Sequence, residues 1–260
     1  MPRKSDGKVH QSDLKAIAQS PAHYRWQIDH PRDDSPAMRI GRSIHALYLQ
    51  GIEPVTFDGK RSTKAYTEFV APLGDAAEDV LIVSERDTVL RMRDALVRDT
   101  HAMEILSRCP EREVSIEWEL MGLPCAGRLD LRGPGALADL KGCRCAHPKK
   151  FLWDAERKFH YDAQLPWYDV AGGIRPIGPD TQWSDQYLIA IENVAPYNVL
   201  VYQLDPLRID QGWSKIVEWM QTLNSCLKSG KWPGYLEGVQ RWDGQITTHE
   251  YDDEEGEIDA

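Results

Sequence analysis

The stretch Cys125-Ala-Gly-Arg-Leu-Asp-Leu-Arg-Gly-Pro-Gly-Ala-Leu-Ala-Asp-Leu-Lys141 decides how the middle of the chain folds. Two runs, Cys125 to Leu131 and Ala136 to Lys141, flank Arg132-Gly133-Pro134-Gly135. Glycine and proline clustered between such runs predict a β-hairpin. With Arg132 to Gly135 as the turn, Asp130 faces Leu137 and Arg128 faces Asp139. Side chains alternate faces along a strand, and paired residues share a face. Asp130, Leu137, Asp139 and Lys141 are therefore expected on one face, with Asp130 and Asp139 diagonal neighbours about 7–8 Å apart at Cβ. One hard cation can bridge two such carboxylates, since carboxylate–Mg²⁺ bonds are about 2.0–2.1 Å. Lys141, one pleat beyond Asp139, reaches the same water or phosphate. Two acids and a lysine on one face suit phosphodiester hydrolysis. The acids hold Mg²⁺ or Mn²⁺, and the lysine orients water or stabilises developing charge. The triplet Asp-Leu-Lys alone matches freely, and taken by itself it is better accounted for by an exposed face on which charges alternate with Leu129, Leu131 and Leu140.

The surrounding pattern extends the reading in both directions. Val114, Ile116, Trp118 and Leu120 alternate with polar residues and predict a strand before the hairpin. Two more strands are expected near Gln186 to Ile191 and Asn198 to Gln203. Upstream, Ser12 predicts the cap of a helix through Leu14 and Ile17, interrupted near Pro21. Met38 to Leu49 predicts a second helix, Gly51 to Asp79 is loop-rich, and Ser84 caps a long helix to about Ser107. Helical periodicity returns from Pro148 to Val170 and from Leu207 to Leu227. Helices, a mostly antiparallel sheet and further helices define an α+β (mixed α/β) fold with a central sheet flanked by helices. One domain is expected over residues 1–250, with a helical part at about 10–107, a core at about 108–230 and an acidic tail at 251–260.

Bulk properties narrow the class. The chain has 260 residues, 42% of them hydrophobic, enough for a substantial core. No apolar run approaches the roughly 18 residues that span a bilayer, and residues 1–7 lack an apolar signal core. A soluble cytoplasmic protein without a membrane partner is expected. The five cysteines fit reduced thiols better than a disulfide framework. Cys143, Cys145 and His147 form a Cys-x-Cys-x-His cluster, but no second thiol pair follows it. The net charge of −10 disfavours a nucleic-acid partner at first sight. Six acids, Asp252, Asp253, Glu254, Glu255, Glu257 and Asp259, lie in the tail, however, and without them −10 becomes −4. Such a body can still carry a basic groove beside an acidic metal site. Lys149, Lys150, Arg157 and Lys158 follow the hairpin and are the candidate phosphate contacts.

Asp130, then Asp139-Leu140-Lys141, then Gln164-Leu-Pro-Trp-Tyr168 resembles the PD-(D/E)XK nuclease superfamily. The pattern is closest to the exonuclease branch that contains lambda exonuclease, RecB-type nuclease domains and RecE-type exodeoxyribonuclease. Ser12-Asp-Leu-Lys15 leading to Ser20-Pro-Ala-His-Tyr24, Gly41-Arg-Ser-Ile-His45, Glu113-Val-Ser115 and Tyr161-Asp-Ala-Gln164 follow that group in the same order over about residues 10–225. The resemblance implies that Asp130 and Asp139 are metal ligands and Lys141 the catalytic lysine. It implies that His45 and the Leu140 carbonyl complete the shell of one or two Mg²⁺ or Mn²⁺ ions. Glu113 then binds a second ion or positions water, and Gln164 and Tyr168 line the site. Leu129 replaces a proline, Asp139 a glutamate, and Gly142-Cys143-Arg144-Cys145 a threonine-rich stretch. Pro166, inside the expected glutamine–tyrosine helix, should kink it or mark its first turn. The resemblance further implies 5′→3′ digestion of double-stranded DNA, a ring-shaped homo-oligomer and a single-strand annealing recombinase as partner. An endonuclease or single-strand exonuclease of the same superfamily, or a non-catalytic DNA-binding or assembly protein, are the alternatives.

Overall fold

A computed structural model describes residues 6–30, 35–171 and 183–235. The chain opens with helices α1 (Gln11–Gln19), α2 (Pro21–Asp29) and α3 (Pro36–Leu49). α1 starts earlier than a Ser12 cap requires, because the Asp13 carboxylate accepts the His10 amide at 2.7 Å. Ser20 caps α2 by accepting from His23 N at 3.2 Å, which lets Pro21 begin a helix rather than break one. Ser35 does the same for α3 through Met38 N.

The segment expected to be loop carries short elements: β1 (Thr56–Phe57), α4 (Lys64–Val70), a 3₁₀ stretch (Ala71–Asp79) and β2 (Leu81–Ile82). Two-residue strands hold too little sequence to show a period, so pattern alone passes over them. The single helix expected from Ser84 is two, α5 (Val83–Arg98) and α6 (Thr100–Arg108). Asp99 leaves the helical conformation and its carboxylate accepts from Ala102 N at 2.8 Å, so it ends one helix and caps the next.

Strands β3 (Glu111–Leu120), β4 (Leu123–Gly133) and β5 (Ala136–Cys143) follow. The helical region after them divides into α7 (Pro148–Arg157) and α8 (Tyr161–Ala171), separated at His160, whose φ is 50°. α8 continues through Pro166. Then come β6 (Asp185–Glu192), β7 (Val199–Gln203) and the long α9 (Pro206–Ser229), closed by Gly230 at φ 68°. The expected tail, Tyr251 to Ala260, lies outside the described residues. No described helix is long and apolar enough to cross a membrane, and the five cysteines are free thiols.

β3 to β7 form one sheet in sequence order, antiparallel except for the parallel β5–β6 pair that α7 and α8 bridge. Helices cover both faces. Leu137, Leu188 and Ala190 pack towards α1, α7, α8 and α9. Ala136, Ala138, Leu140, Ile189 and Ile191 pack towards α3, α5 and α6. β5 is buried from Ala136 to Leu140, so an aspartate at 139 stands where apolar side chains otherwise sit.

The hairpin turn is tighter than the sequence reading had it. Gly133 pairs with Ala136 and Arg132 with Leu137, a shift of two residues that leaves the faces of β5 unchanged. Pro134-Gly135 is the whole loop, with Gly135 at φ 67°. Gly133 cannot carry a side chain, because a Cβ there would lie 1.9 Å from the Arg108 carbonyl. Asp130 does not face Leu137 as expected. Continuing the observed register brings it opposite Asp139, at the point where β4 and β5 part.

Candidate active site

The parting of β4 and β5 has a local cause. Leu129 packs on one face of the sheet and Leu131 on the other, so the alternation of β4 slips at Asp130. The Asp130 carboxylate turns into the gap and accepts the Leu140 amide at 2.9 Å. A side chain thus replaces a ladder bond. On β3 the neighbouring pairs Arg112–Leu131 and Val114–Leu129 put Glu113 across from Asp130. Glu113 is itself irregular, with φ 51°, a left-handed conformation that costs a non-glycine residue about 1–3 kcal/mol. Glu113, Asp130 and Asp139 therefore form one row across three adjacent strands, at a break in the sheet.

The break lets helices from both layers reach the row. α3 is seated by Ile44 and Leu47, both buried, and burying such a side chain contributes about 1.5–3 kcal/mol. That seating aims the adjacent His45 at the acids. Its Nδ1 lies 3.4 Å from Glu113 Oε1 and 3.5 Å from Asp130 Oδ1. Its Nε2 lies 2.9 Å from the Leu140 carbonyl. Burial alone would lower the imidazole pKa, but Asp130, helped by Glu113 and Asp139, overrides it and pushes it up to about 10. Asp130 is held low: its burial is outweighed by His45 and Lys141.

From the other layer α8 supplies Gln164 and Tyr168, one turn apart. Gln164 Nε2 donates to Asp139 Oδ1 at 2.8 Å and lies 3.5 Å from the Tyr168 hydroxyl. Asp139 Oδ2 lies 2.5 Å from Lys141 Nζ. Burial and the Asp130 charge still raise Asp139 to about 6, against the ammonium beside it. Lys141 is raised too: Asp139 and its neighbours outweigh the burial, and the lysine keeps its proton. The Lys141 ammonium also lies 4.5 Å from the centre of the Tyr161 ring. Gly127 gives Tyr168 its place, since a Cβ there would meet the ring at 2.6 Å.

The donor set suits a hard divalent cation. One atom each of His45, Glu113 and Asp130 lie within 4.8 Å of one another. Ligands about 2.1 Å from a single octahedral ion stand about 3–4 Å apart, which the 3.5 Å between His45 and Asp130 matches, and Glu113, 3.4 Å from His45, is near enough to share that ion or serve a second. Both Glu113 oxygens and Asp139 Oδ2 are buried without a well-directed hydrogen bond. Their cationic neighbours, Arg128 at 2.6 Å and Lys141 at 2.5 Å, are close but poorly angled. Each of these oxygens has a cation close by and lone pairs beyond it, as ion ligands require.

Asp130 and Asp139 of the row lie on the wall of a cleft of about 1120 Å³, lined also by Gln11, Ser12, Gly41, Arg42, Ser115, Gly127 and Arg128. Of the sequence-predicted residues, His45, Asp130, Asp139, Lys141, Gln164 and Tyr168 line the cleft, and Glu113 and the Leu140 carbonyl meet them behind it through His45. Lys149, Lys150, Arg157 and Lys158 do not line the cleft. They lie exposed on and just after α7, where Lys150 pairs with Asp154 at 3.5 Å and Lys158 lies over Phe159. Sequence reasoning passed over Arg128, the partner of Glu113, and Lys15 and Tyr161 beside Lys141. Arg128 carried a signal, since it belongs to the quoted hairpin strand.

A lysine two positions after an acid on the middle strand, with acids brought level from two neighbouring strands, defines a PD-(D/E)XK nuclease core. The chain belongs to the family described as PDDEXK-like domain of unknown function (DUF3799), which it matches over residues 11–244. No curated protein matches the sequence. Among solved structures, it is similar to a candidate exonuclease from Eubacterium rectale, at 13% identity and a TM-score of 0.59, over 91% of this chain and 92% of that one. It is also matched to a phage related exonuclease from Haemophilus somnus 129PT, at 13% identity and a TM-score of 0.36, over 86% of this chain and 96% of that one.

Proposed function

We propose that this nuclease is a metal-dependent DNA exonuclease that digests linear double-stranded DNA from 5′ to 3′, leaving single-stranded overhangs for recombination. The observation that carries the reading is the convergence of His45, Glu113 and Asp130 beside the Asp139–Lys141 pair, at the edge of an open cleft. Asp130, Asp139, His45 and the Leu140 carbonyl hold Mg²⁺ or Mn²⁺, with Glu113 available to a second ion. Bound there, the ion supplies Lewis acidity and a water of lowered pKa. Gln164 fixes the Asp139 carboxylate through its 2.8 Å bond. Lys141 holds charge at the phosphoryl group, and Tyr168 borders the strand. Lys149, Lys150, Arg157 and Lys158 contact phosphates beyond the cleft. A ring of identical subunits and a single-strand annealing partner complete the proposal, and both are supported by the resemblance of the motifs.

Linear duplexes labelled separately at each 5′ and 3′ end test it. Early release of 5′-terminal nucleotides in Mg²⁺, none in EDTA and no attack on closed circular DNA is the expected result. Cleavage of circles indicates an endonuclease, and digestion of single strands alone indicates a single-strand exonuclease. Binding without cleavage indicates a DNA-binding or assembly protein.

His45→Ala is expected to weaken Mn²⁺ binding by at least about 10²-fold, since even outer residues around a metal contribute 10- to 100-fold. Titration calorimetry with MnCl₂ measures this. Unchanged Mn²⁺ affinity in the folded variant removes His45 from the ligand set.

A further inference from the structure

We propose that Lys15 is a second phosphate-binding lysine next to the catalytic one, holding a phosphate of the DNA strand beside the one that Lys141 serves. The proposal rests on the nuclease reading above. Lys15 lies on α1, four residues after Gln11, which is buried and lines the cleft, so the two share a helix face. Its Nζ lies 5.2 Å from the centre of the Tyr161 ring, the same ring that Lys141 Nζ approaches to 4.5 Å. Two ammonium groups therefore share one phenol ring. The nearby carboxylate, Asp139, is already taken, by Lys141 at 2.5 Å and Gln164 at 2.8 Å. Among the described residues no acid stands within ion-pairing distance of Lys15.

A half-buried cation next to a second cation, with no acid of its own, is unfavourable unless an anion joins them. The same geometry pushes the Lys15 ammonium down to about 7, through burial first and the Lys141 charge second. A DNA phosphate arriving at the Lys141 side supplies the missing charge. Two sources share this chemistry, a terminal 5′-phosphate and an internal phosphodiester. The aromatic contact alone would make Lys15 a packing residue, and that reading predicts a different outcome.

The test compares wild type, Lys15→Met and Lys15→Arg in the full chain. DNA binding is measured by anisotropy in EDTA across a salt series, with 5′-phosphorylated and 5′-hydroxyl duplexes of one sequence. KM and kcat are measured in Mg²⁺, and melting temperature throughout. Lys15→Met is expected to bind about 10-fold more weakly at about 50 mM salt, with a salt slope shallower by about 0.9, as one lost phosphate contact requires. Its KM should rise while kcat changes by less than about twofold, because the lost contact binds substrate and transition state alike. Lys15→Arg should restore binding. A deficit confined to the phosphorylated duplex assigns the terminal phosphate, and an equal deficit with both assigns an internal one. If Lys15→Met melts early and keeps the wild-type salt slope, Lys15 is a packing residue and the proposal is wrong. If wild type cleaves DNA and Lys15→Met matches it in slope and KM, only this proposal falls. If wild type neither binds nor cleaves DNA, the nuclease reading falls with it.

Discussion

Replacing Asp139 is expected to abolish DNA hydrolysis, lowering kcat by at least about 10³-fold in Mg²⁺, where loss of a single oxyanion donor already costs about 10²–10³. Asp130→Ala and Lys141→Ala should do the same. The reason is the row geometry: Asp130 and Asp139 meet where two strands part, and Lys141 is ion-paired to Asp139 at 2.5 Å. The choice of substitution matters for stability. Asp139→Ala leaves the Lys141 ammonium, 15% exposed, without its partner, and breaking a buried pair from one side costs about 3–5 kcal/mol. It also relieves repulsion from Asp130, which is why the two effects partly offset. Asp139→Asn keeps the volume and an oxygen for Gln164, although its amide nitrogen then faces Lys141, so it should remain folded and lose less stability than Asp139→Ala. Near wild-type turnover of folded Asp139→Asn in Mg²⁺ would place the chemistry elsewhere.

The hairpin shows what the sequence can and cannot convey about this site. The two runs, their faces and the lysine beyond Asp139 were legible, because alternation in β5 survives any even shift of register. The register itself was not, since Arg132 to Gly135 and Pro134-Gly135 are both acceptable loops by composition. The tighter loop turns a diagonal pair of acids into opposite ones. The slip of alternation at Asp130 and the left-handed Glu113 were invisible for a different reason. Each is a local irregularity that no residue type announces and that only the contacts of three strands together determine. Lys15 was in a quoted motif, yet nothing in Ser12-Asp-Leu-Lys15 says that Tyr161, far along the chain, will bring it beside Lys141. The split between α5 and α6 was legible in principle, since Asp99 followed by Thr100 carries the signature of a cap.

Gly212→Ala is expected to destabilise the protein by about 3 kcal/mol and to lower its melting temperature by about 6–12 °C, at about 2–4 °C per kcal/mol for a chain of this size. Helix propensity argues the opposite, because alanine within a helix is favoured over glycine by about 1 kcal/mol. Sterics decide the matter. A Cβ on Gly212 would lie 1.9 Å from the Asp162 carbonyl oxygen and 2.6 Å from its carbon. The obstacle is the backbone of α8, which cannot rotate away as a side chain can. Pro166 accounts for that carbonyl being there. Four residues along the helix, it has no N–H to offer Asp162, so the oxygen is left to face α9. Lys215, one turn beyond Gly212, bonds the Asp162 carboxylate at 2.6 Å and closes the same contact. To admit a methyl group α8 must move, and α8 carries Gln164 and Tyr168. A displacement near 1 Å of a positioning group costs roughly 10²-fold in rate. Activity should therefore fall even well below the new melting temperature, although Gly212 does not line the cleft. Calorimetric melting and turnover measured at one temperature, about 15 °C below the variant's transition, separate the two effects. An unchanged or raised melting temperature would mean that α8 and α9 pack less closely than this contact requires.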